Sequence, residues 1–430
     1  MLVTASIYDP VSKDEGTIDP LGLASIGERL SSKLLPGIRQ RMRHPRLLTA
    51  AAASSLLCKH YTDRVAKDGK TEAFLVFEWY VVQALFKMYS GADELLGLPG
   101  IRKVKEAWLR KDPLSMNRYL KNAYTFGFHG VYRTLAEELD IAKDNELGEK
   151  GADLLRIWEE EQNYPGFISN QQGRGRELFK KLQKAVEDGL DGGEVAYGWN
   201  WKVFDEIAPL FAPKQGGPKE KDFLYKLLIN DVKGFRQEMI AAVPDFQQSL
   251  QEDELRTERR YHEFMLARAS ANLCELLQAI KAYEVFARSI HNPFYKILQY
   301  LSRITHKVSV KELKEQLSLN FDLSVFRTQF QETTRLLGSF NEGHAFEETF
   351  KSFELLNNSD EFISTLISHH EKIQEHKPPN GKMSWLEEFP NGGFMIRPAY
   401  RERDTYLSEN DYVNQYRLTS LINFHLDLKG

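Results

Sequence analysis

The sequence has very little cysteine, since only Cys58 and Cys274 occur in 430 residues. Two thiols exclude a disulfide framework and a zinc site built from four thiolates. Long apolar runs are also missing: the most apolar stretch, residues 74–89, contains Glu78 and Lys87. A membrane-spanning helix needs about 20 apolar residues, so we interpret this stretch as a buried helix. We therefore expect a cytoplasmic protein without membrane contact.

A large excess of charge of one sign is absent as well. The chain has 57 Lys and Arg against 61 Asp and Glu, which gives a net charge of -4 and argues against a protein that is basic throughout. It contains no Walker phosphate loop, no HExxH zinc motif and no nucleophile elbow. We predict a non-catalytic protein with no cofactor and no metal ion. The alternative is a metal-dependent nuclease whose acidic residues are too dispersed to be recognised.

Helical patterns cover most of the chain. The alanine-rich run at residues 50–53 follows Pro45 and favours a helix, and residues 72–90 are apolar on every side, as in a helix surrounded by other elements. We predict a mainly α, multi-helical fold. Loop-forming stretches divide it into an N-terminal helical domain, a middle helical domain and a C-terminal winged-helix-like domain. Their ranges are 1–165, 166–300 and 301–430.

The middle domain contains a heptad pattern. Apolar residues recur at steps of three and four: Leu266, Ala269, Leu273, Leu276, Ile280, Tyr283, Ala287 and Ile290. We expect this helix to end at Asn292, because a residue before proline avoids the helical region. The favoured interpretation is a long helix packed within its own domain. The alternative is a homo-oligomer or partner seam formed by Leu266, Leu273, Leu276 and Ile280, which would make the protein a scaffold without DNA contact.

Two short helices and a tight turn are predicted in the C-terminal domain. Ser309 and Glu312 have capping-box spacing, the turn covers residues 318–322, and the second helix begins near Leu323. Its inner face carries Phe326, Phe330, Thr333 and Leu337, and its outer face carries Arg327, Gln331 and Arg335. This pattern is typical of a helix-turn-helix, in which Arg and Gln can pair with guanine and adenine. Many such domains bind protein instead, and that alternative stays open.

A β-hairpin is predicted after these helices. Two extended runs, residues 383–388 and 394–397, flank Asn391, Gly392 and Gly393. An Asn-Gly pair between extended runs is a strong hairpin signal. The hairpin could serve as the wing of a winged-helix domain.

The clearest basic cluster lies near the N-terminus. It consists of Arg39, Arg41, Arg43, His44 and Arg46, and no acidic residue occurs between Glu28 and Asp63. Phosphate attraction is one interpretation of this run. Contact with an acidic partner protein and a simple solvated surface are the two alternatives.

Two further groups of polar residues are interpreted as structural. Glu78 lies in the apolar helix, where a carboxylate needs a partner, and we expect a salt bridge to an Arg of the same domain. His369, His370 and His376 lie in a predicted helix without metal-site spacing, and we expect them on the surface.

Two segments near the ends of the chain have distinctive sequences. One is DPLGLASIGERLSSKLLPGIRQRMRHPRLL, residues 19–48, and the other runs from Trp385 to DYVNQYRLTSLINFHLDL, residues 411–428. These two segments resemble an uncharacterised bacterial family found among phage-defence gene clusters. This family has no established catalytic motif to transfer.

The resemblance implies a component of an antiviral complex that works with other subunits. Combined with the basic residues, it predicts a non-catalytic subunit that contacts DNA, a partner ATPase or a partner nuclease. The contact residues would be Arg39, Arg41, Arg43 and Arg46, together with Arg327, Gln331 and Arg335.

Overall fold

The structure is a computed structural model. It describes residues 19–92, 95–169, 171–196, 202–230, 234–250, 257–317, 321–377, 380–390, 392–401 and 411–429. Helices predominate among them, which confirms the prediction of a mainly α, multi-helical fold. None of the described helices combines the length and the apolar character needed to cross a membrane.

The chain divides into two compact units, each built from separate stretches of sequence. Unit 1 contains residues 1–34 and 250–416, and unit 2 contains residues 35–249 and 417–430. These units describe which parts of the chain pack together and not which stretches fold independently, so the three predicted domains stay a prediction.

Unit 2 is formed by twelve α-helices, a short 3-10 helix at Lys59–Tyr61 and one hairpin within the described ranges. The helices are α2 Leu47–Cys58, α3 Ala73–Tyr89, α4 Ile101–Arg110, α5 Ala123–Phe126, α6 Phe128–Glu138, α7 Glu149–Glu161, α8 Arg174–Gly192, α9 Lys202–Phe211, α10 Pro218–Ile229, α11 Arg236–Ala241, α12 Val243–Ser249 and α19 Leu418–Lys429. The hairpin pairs β1 Ala142–Lys143 with β2 Glu146–Leu147 in antiparallel register.

Helix α3 lies at the core of unit 2. It packs against α2, α4, α8 and α9 and buries residues on all sides, as its uniformly apolar sequence predicts. Helix α2 is also buried over nearly its whole length. Its four consecutive alanines, residues 50–53, let neighbouring helices approach closely, because each side chain is a single methyl group.

Unit 1 contains the remaining elements. These are α1 Leu23–Leu34, α13 Glu258–Leu266, α14 Ala271–Ser302, α15 Val310–Leu317, α16 Leu323–Gly338, α17 Gly343–Glu354, α18 Phe362–Glu375, β3 Leu386–Glu388 and β4 Phe394–Ile396. Helix α14 is its longest element and packs against α1, α13 and α16.

The predicted end of this long helix at Asn292 is wrong, because α14 continues through Pro293 to Ser302. An interior proline loses one backbone hydrogen bond and costs about 3 kcal/mol. The helix nevertheless continues, since Phe294, Ile297, Leu298 and Leu301 are all buried beyond the proline. Full burial of one such side chain contributes about 1.5–3 kcal/mol, so four of them outweigh the cost.

The heptad seam lies inside unit 1. Leu273, Leu276 and Ile280 are fully buried against other parts of the same chain, and Leu266 ends α13 instead of belonging to α14. Three of the four seam residues are therefore covered by the chain itself, whereas Leu266 is half-buried, and association between copies of the chain stays a prediction. The geometry is that of a long helix packed within its own unit.

The C-terminal part of unit 1 contains helices α15 and α16 and, later in the chain, a small β-hairpin. Ser309 Oγ accepts a hydrogen bond from the Glu312 backbone N–H at the start of α15, and β3 pairs with β4 as the predicted hairpin. Val308 pairs with Phe394 through two backbone hydrogen bonds of 3.0 and 2.8 Å, so a strand position before α15 joins the hairpin. Helices α17 and α18 lie between α16 and the hairpin along the chain. Residues 318–320 of the predicted turn lie outside the described residues.

Candidate functional site

Unit 2 contains a cleft of about 590 Å³ whose walls come from distant parts of the sequence. Four cationic side chains line it: Arg41, Arg43, Arg102 and Lys103. Among the described residues no Asp or Glu lines this cleft. We call it the basic cleft. Four positive charges around one concavity create an attractive field for anions.

The first wall is the predicted basic run, held in place by two buried apolar residues. Ile38 and Met42 are buried, whereas Arg39 and Arg41 are exposed and Arg43 is half-buried. The hydroxyl of Tyr132 accepts hydrogen bonds from the backbone N–H groups of Arg43 and His44 at 3.0 and 2.8 Å. Buried side chains and backbone bonds therefore fix the path of this irregular segment.

The second wall is the turn before α4 and the first residues of that helix. Gly97 and Gly100 have φ angles of 77° and 80°, which favour glycine. A Cβ atom on Gly97 would lie 2.4 Å from Cδ of Arg43, and one on Gly100 would lie 1.9 Å from the Tyr119 hydroxyl. The turn therefore needs both glycines, and it brings Arg102 and Lys103 to the same cleft as Arg43.

The charges of the first wall are not cancelled by neighbouring carboxylates. Arg39 donates to Thr134 Oγ1 at 2.9 Å, and the Arg41 guanidinium lies over the Phe126 ring, 4.3 Å from its centroid. Within the described ranges, Arg39, Arg41 and Arg43 form no salt bridge. On the other wall, Lys103 pairs with Glu106 at 2.7 Å in an exposed ion pair of small energetic weight.

Arg46 lies outside this surface and is not available to a docking partner, contrary to the prediction. It is 3% exposed, and its Nε donates to Glu220, which is itself fully buried. Its Nη1 donates to the Ala212 carbonyl at 2.5 Å, and Thr49 donates to the same Glu220 at 2.7 Å. Arg46 is therefore a structural cation, since its charge neutralises a buried carboxylate.

His44 is also internal. Its Nδ1 lies 2.7 Å from Asp427 and its Nε2 lies 2.8 Å from the Leu96 carbonyl oxygen. Of the five residues in the predicted basic cluster, three are therefore exposed or half-exposed and two are buried.

The outer face of α16 has the exposure that the sequence predicts. Phe326, Phe330, Thr333 and Leu337 are buried, whereas Arg327, Gln331 and Arg335 are exposed. Arg327 donates to the Leu356 carbonyl at 2.5 Å, and Arg335 pairs with Glu332 at 3.1 Å. The ion pair offsets the charge of Arg335, whereas the carbonyl contact occupies one donor of Arg327 and leaves its charge in place. What this face binds stays a prediction.

Glu78 is structural, but its partners are not the predicted arginine. The buried carboxylate accepts hydrogen bonds from the Tyr119 hydroxyl at 2.7 Å and from the His129 backbone N–H at 3.1 Å, and it lies 2.9 Å from His129 Nδ1. The backbone bond satisfies a free donor at the start of α6. Burial raises the pKa of Tyr119 well above its usual value, so this hydroxyl stays a donor. Gly127 permits the approach, since a Cβ there would lie 2.2 Å from Glu78 Oε1.

The expected surface position of His369 and His370 is wrong. His369 Nε2 lies 2.9 Å from the Leu21 carbonyl oxygen, and His370 contacts the Pro20 carbonyl oxygen and the Trp385 N–H. Burial lowers the pKa of both histidines to about 4, so both are neutral at pH 7. The sequence does not reveal these buried hydrogen bonds, because the carbonyl groups that the histidines contact lie about 350 residues earlier in the chain.

No group of three His, Cys, Asp or Glu side chains in the described part of the chain could hold a metal ion. The basic cleft is instead lined by four cations and, among the described residues, by no carboxylate. Comparisons with protein-family models, with curated proteins and with solved structures found no match to this chain.

Proposed function

We propose that the chain docks on the phosphate backbone of nucleic acid through the basic cleft. The observation that carries the proposal is the convergence of Arg41, Arg43, Arg102 and Lys103 on one cavity, without an acidic residue among the described residues that line it. In this proposal the chain is a cytoplasmic, non-catalytic subunit of a bacterial anti-phage defence complex. A partner ATPase or nuclease supplies the chemistry, and this subunit supplies attachment.

Electrostatic docking fits this cleft because its cations lie on a fixed backbone. Arginine binds phosphate oxygens through two parallel N–H groups, and three of the four cations are arginines. Each phosphate contact also releases condensed counterions, which favours binding at low salt. Such contacts set affinity and position without reading sequence.

The outer face of α16 is a second, weaker contact surface in this proposal. Arg327, Gln331 and Arg335 are exposed on one helix, but two of them already have partners in the chain. The same binding measurement on a variant with Arg327→Gln, Gln331→Ala and Arg335→Gln decides whether this face contributes. Unchanged affinity would remove it from the interface.

The test of the main proposal is a triple variant, Arg41→Gln, Arg43→Gln and Arg102→Gln, titrated with a fluorescent oligonucleotide at 100 mM salt. Glutamine keeps most of each aliphatic stem and removes the charge. We expect the affinity to fall about ten-fold or more. Arg156→Gln is the matched control, since Arg156 is an exposed cation of unit 2 already paired with Asp153.

Two outcomes would overturn the proposal. One is a wild-type protein that binds no oligonucleotide at low salt. The other is a folded triple variant that binds as tightly as the control.

A further inference from the structure

A second cleft, of about 770 Å³, adjoins the basic cleft in unit 2. Lys103 lines both cavities, so the two are neighbours along one surface. Lys70 and Lys121 line the second cleft, and it too has no acidic lining residue among those the structure describes. The cations therefore extend beyond one cavity and follow a path.

Two exposed aromatic rings lie on this path, one in each cleft. Phe126 lines the basic cleft and is 40% exposed, and Tyr124 lines the second cleft and is 37% exposed. Both belong to the short helix α5. The Tyr124 hydroxyl donates to the Lys70 carbonyl, which fixes the ring, and Arg41 covers the Phe126 ring at 4.3 Å.

Rings placed among cations have a specific use in nucleic-acid binding. Single strands expose the flat faces of their bases, and proteins that bind them combine a basic groove with aromatic stacking platforms. A duplex keeps its bases stacked on one another, so exposed rings beside a phosphate path would gain nothing from it. Phosphate contacts alone would not require Phe126 or Tyr124.

We infer that the two clefts form one track for single-stranded nucleic acid, in which bases stack on Phe126 and Tyr124 while Arg41, Lys70 and Lys103 hold phosphates. This inference rests on the proposed function and names the ligand class of the same site. Arg41 and Phe126 form a preassembled stack of guanidinium and ring, which a base extends.

The experiment compares two fluorescent probes, a 20-nucleotide oligo-dT strand and a 20-base-pair duplex, bound to the full chain at 100 mM salt. We expect the single strand to bind at least ten-fold more tightly. Phe126→Ala should weaken single-strand binding by roughly five- to hundred-fold, the effect of losing one stacked base. The affinity of this variant should depend on salt concentration as steeply as that of the wild type, because no cation is removed.

Two further variants separate stacking from loss of fold. Phe126→Trp keeps an aromatic face and should retain single-strand binding. Leu109→Ala truncates an exposed apolar side chain of α4, 76% exposed and outside the residues that line either cleft, and should bind like the wild type.

The outcomes distinguish this inference from the proposed function. Equal or tighter duplex binding, or a folded Phe126→Ala variant with wild-type affinity for the single strand, would overturn the inference and leave phosphate docking intact. If neither probe bound the chain, the inference and the proposed function would both be overturned.

Discussion

Replacing Arg46 by alanine should destabilise unit 2 without weakening nucleic-acid binding. In the native protein Glu220 is fully buried, and its charge is balanced by Arg46, whose Nε lies 3.1 and 3.2 Å from the two carboxylate oxygens. The variant removes this cation and also the hydrogen bonds to the Pro209 and Ala212 carbonyls. Thr49 remains as a donor to the carboxylate.

The expected magnitude follows from leaving a buried carboxylate without its cation. Breaking a buried ion pair from one side costs about 3–5 kcal/mol. Since Thr49 retains one hydrogen bond to Glu220, we expect a loss near the lower end, about 3 kcal/mol. A double variant, Arg46→Met with Glu220→Leu, removes both charges and fills similar volume, so it should recover most of the lost stability.

The assay is urea denaturation followed by far-ultraviolet circular dichroism, with the oligonucleotide titration run on the same samples. Arg156→Ala is the control, because an exposed substitution outside the basic cleft should change stability by less than about 0.5 kcal/mol and should leave oligonucleotide binding unchanged. The reasoning would be refuted if Arg46→Ala lowered stability by less than about 1 kcal/mol, or if the double variant were no more stable than the single one.

Three further predictions concern unit 1. Burial raises the pKa of Glu284 to about 7. At about pH 8, where the ionised form predominates, Glu284→Gln should lower stability by about 2–4 kcal/mol, because the carboxylate accepts hydrogen bonds from Val413, Asn414 and Tyr416 and an amide would set a donor against them. Unchanged thermal stability would contradict this. The wild type should have a higher free energy of unfolding than His370→Gln, and this difference should shrink by up to about 3 kcal/mol as pH falls from about 6.5 to about 4. In that range the histidine of the unfolded chain binds a proton, whereas the buried histidine stays neutral. A difference that does not change with pH would contradict this. Pro293→Ala should raise stability by up to about 3 kcal/mol, because it restores the helical hydrogen bond that this proline removes, and a loss of stability would contradict this.

Features that depend on neighbouring residues could be predicted from the sequence. The apolar run of α3, the inner face of α16 and the hairpin of β3 and β4 all follow from local periodicity or turn chemistry. The exposed part of the basic run could also be found, since it contains no acidic residue that could pair locally.

Features that depend on distant residues could not be predicted. Arg46 looked like its exposed neighbours because Glu220 lies 174 residues away. The presence of four cations in the basic cleft could not be predicted for the same reason. Arg102 and Lys103 are about 60 residues beyond Arg41, and the Gly97 turn brings them to the same cleft. The continuation of α14 past Pro293 depends on packing partners from other helices, which no local rule supplies.

The salt dependence of oligonucleotide binding tests the central claim most directly. Four cations that each neutralise one phosphate of a single strand should give a plot of log affinity against log salt concentration with a slope of about -3. In the triple variant at Arg41, Arg43 and Arg102, the slope should approach -1. A wild-type slope near zero, or the same slope in both proteins, would contradict phosphate docking in the basic cleft.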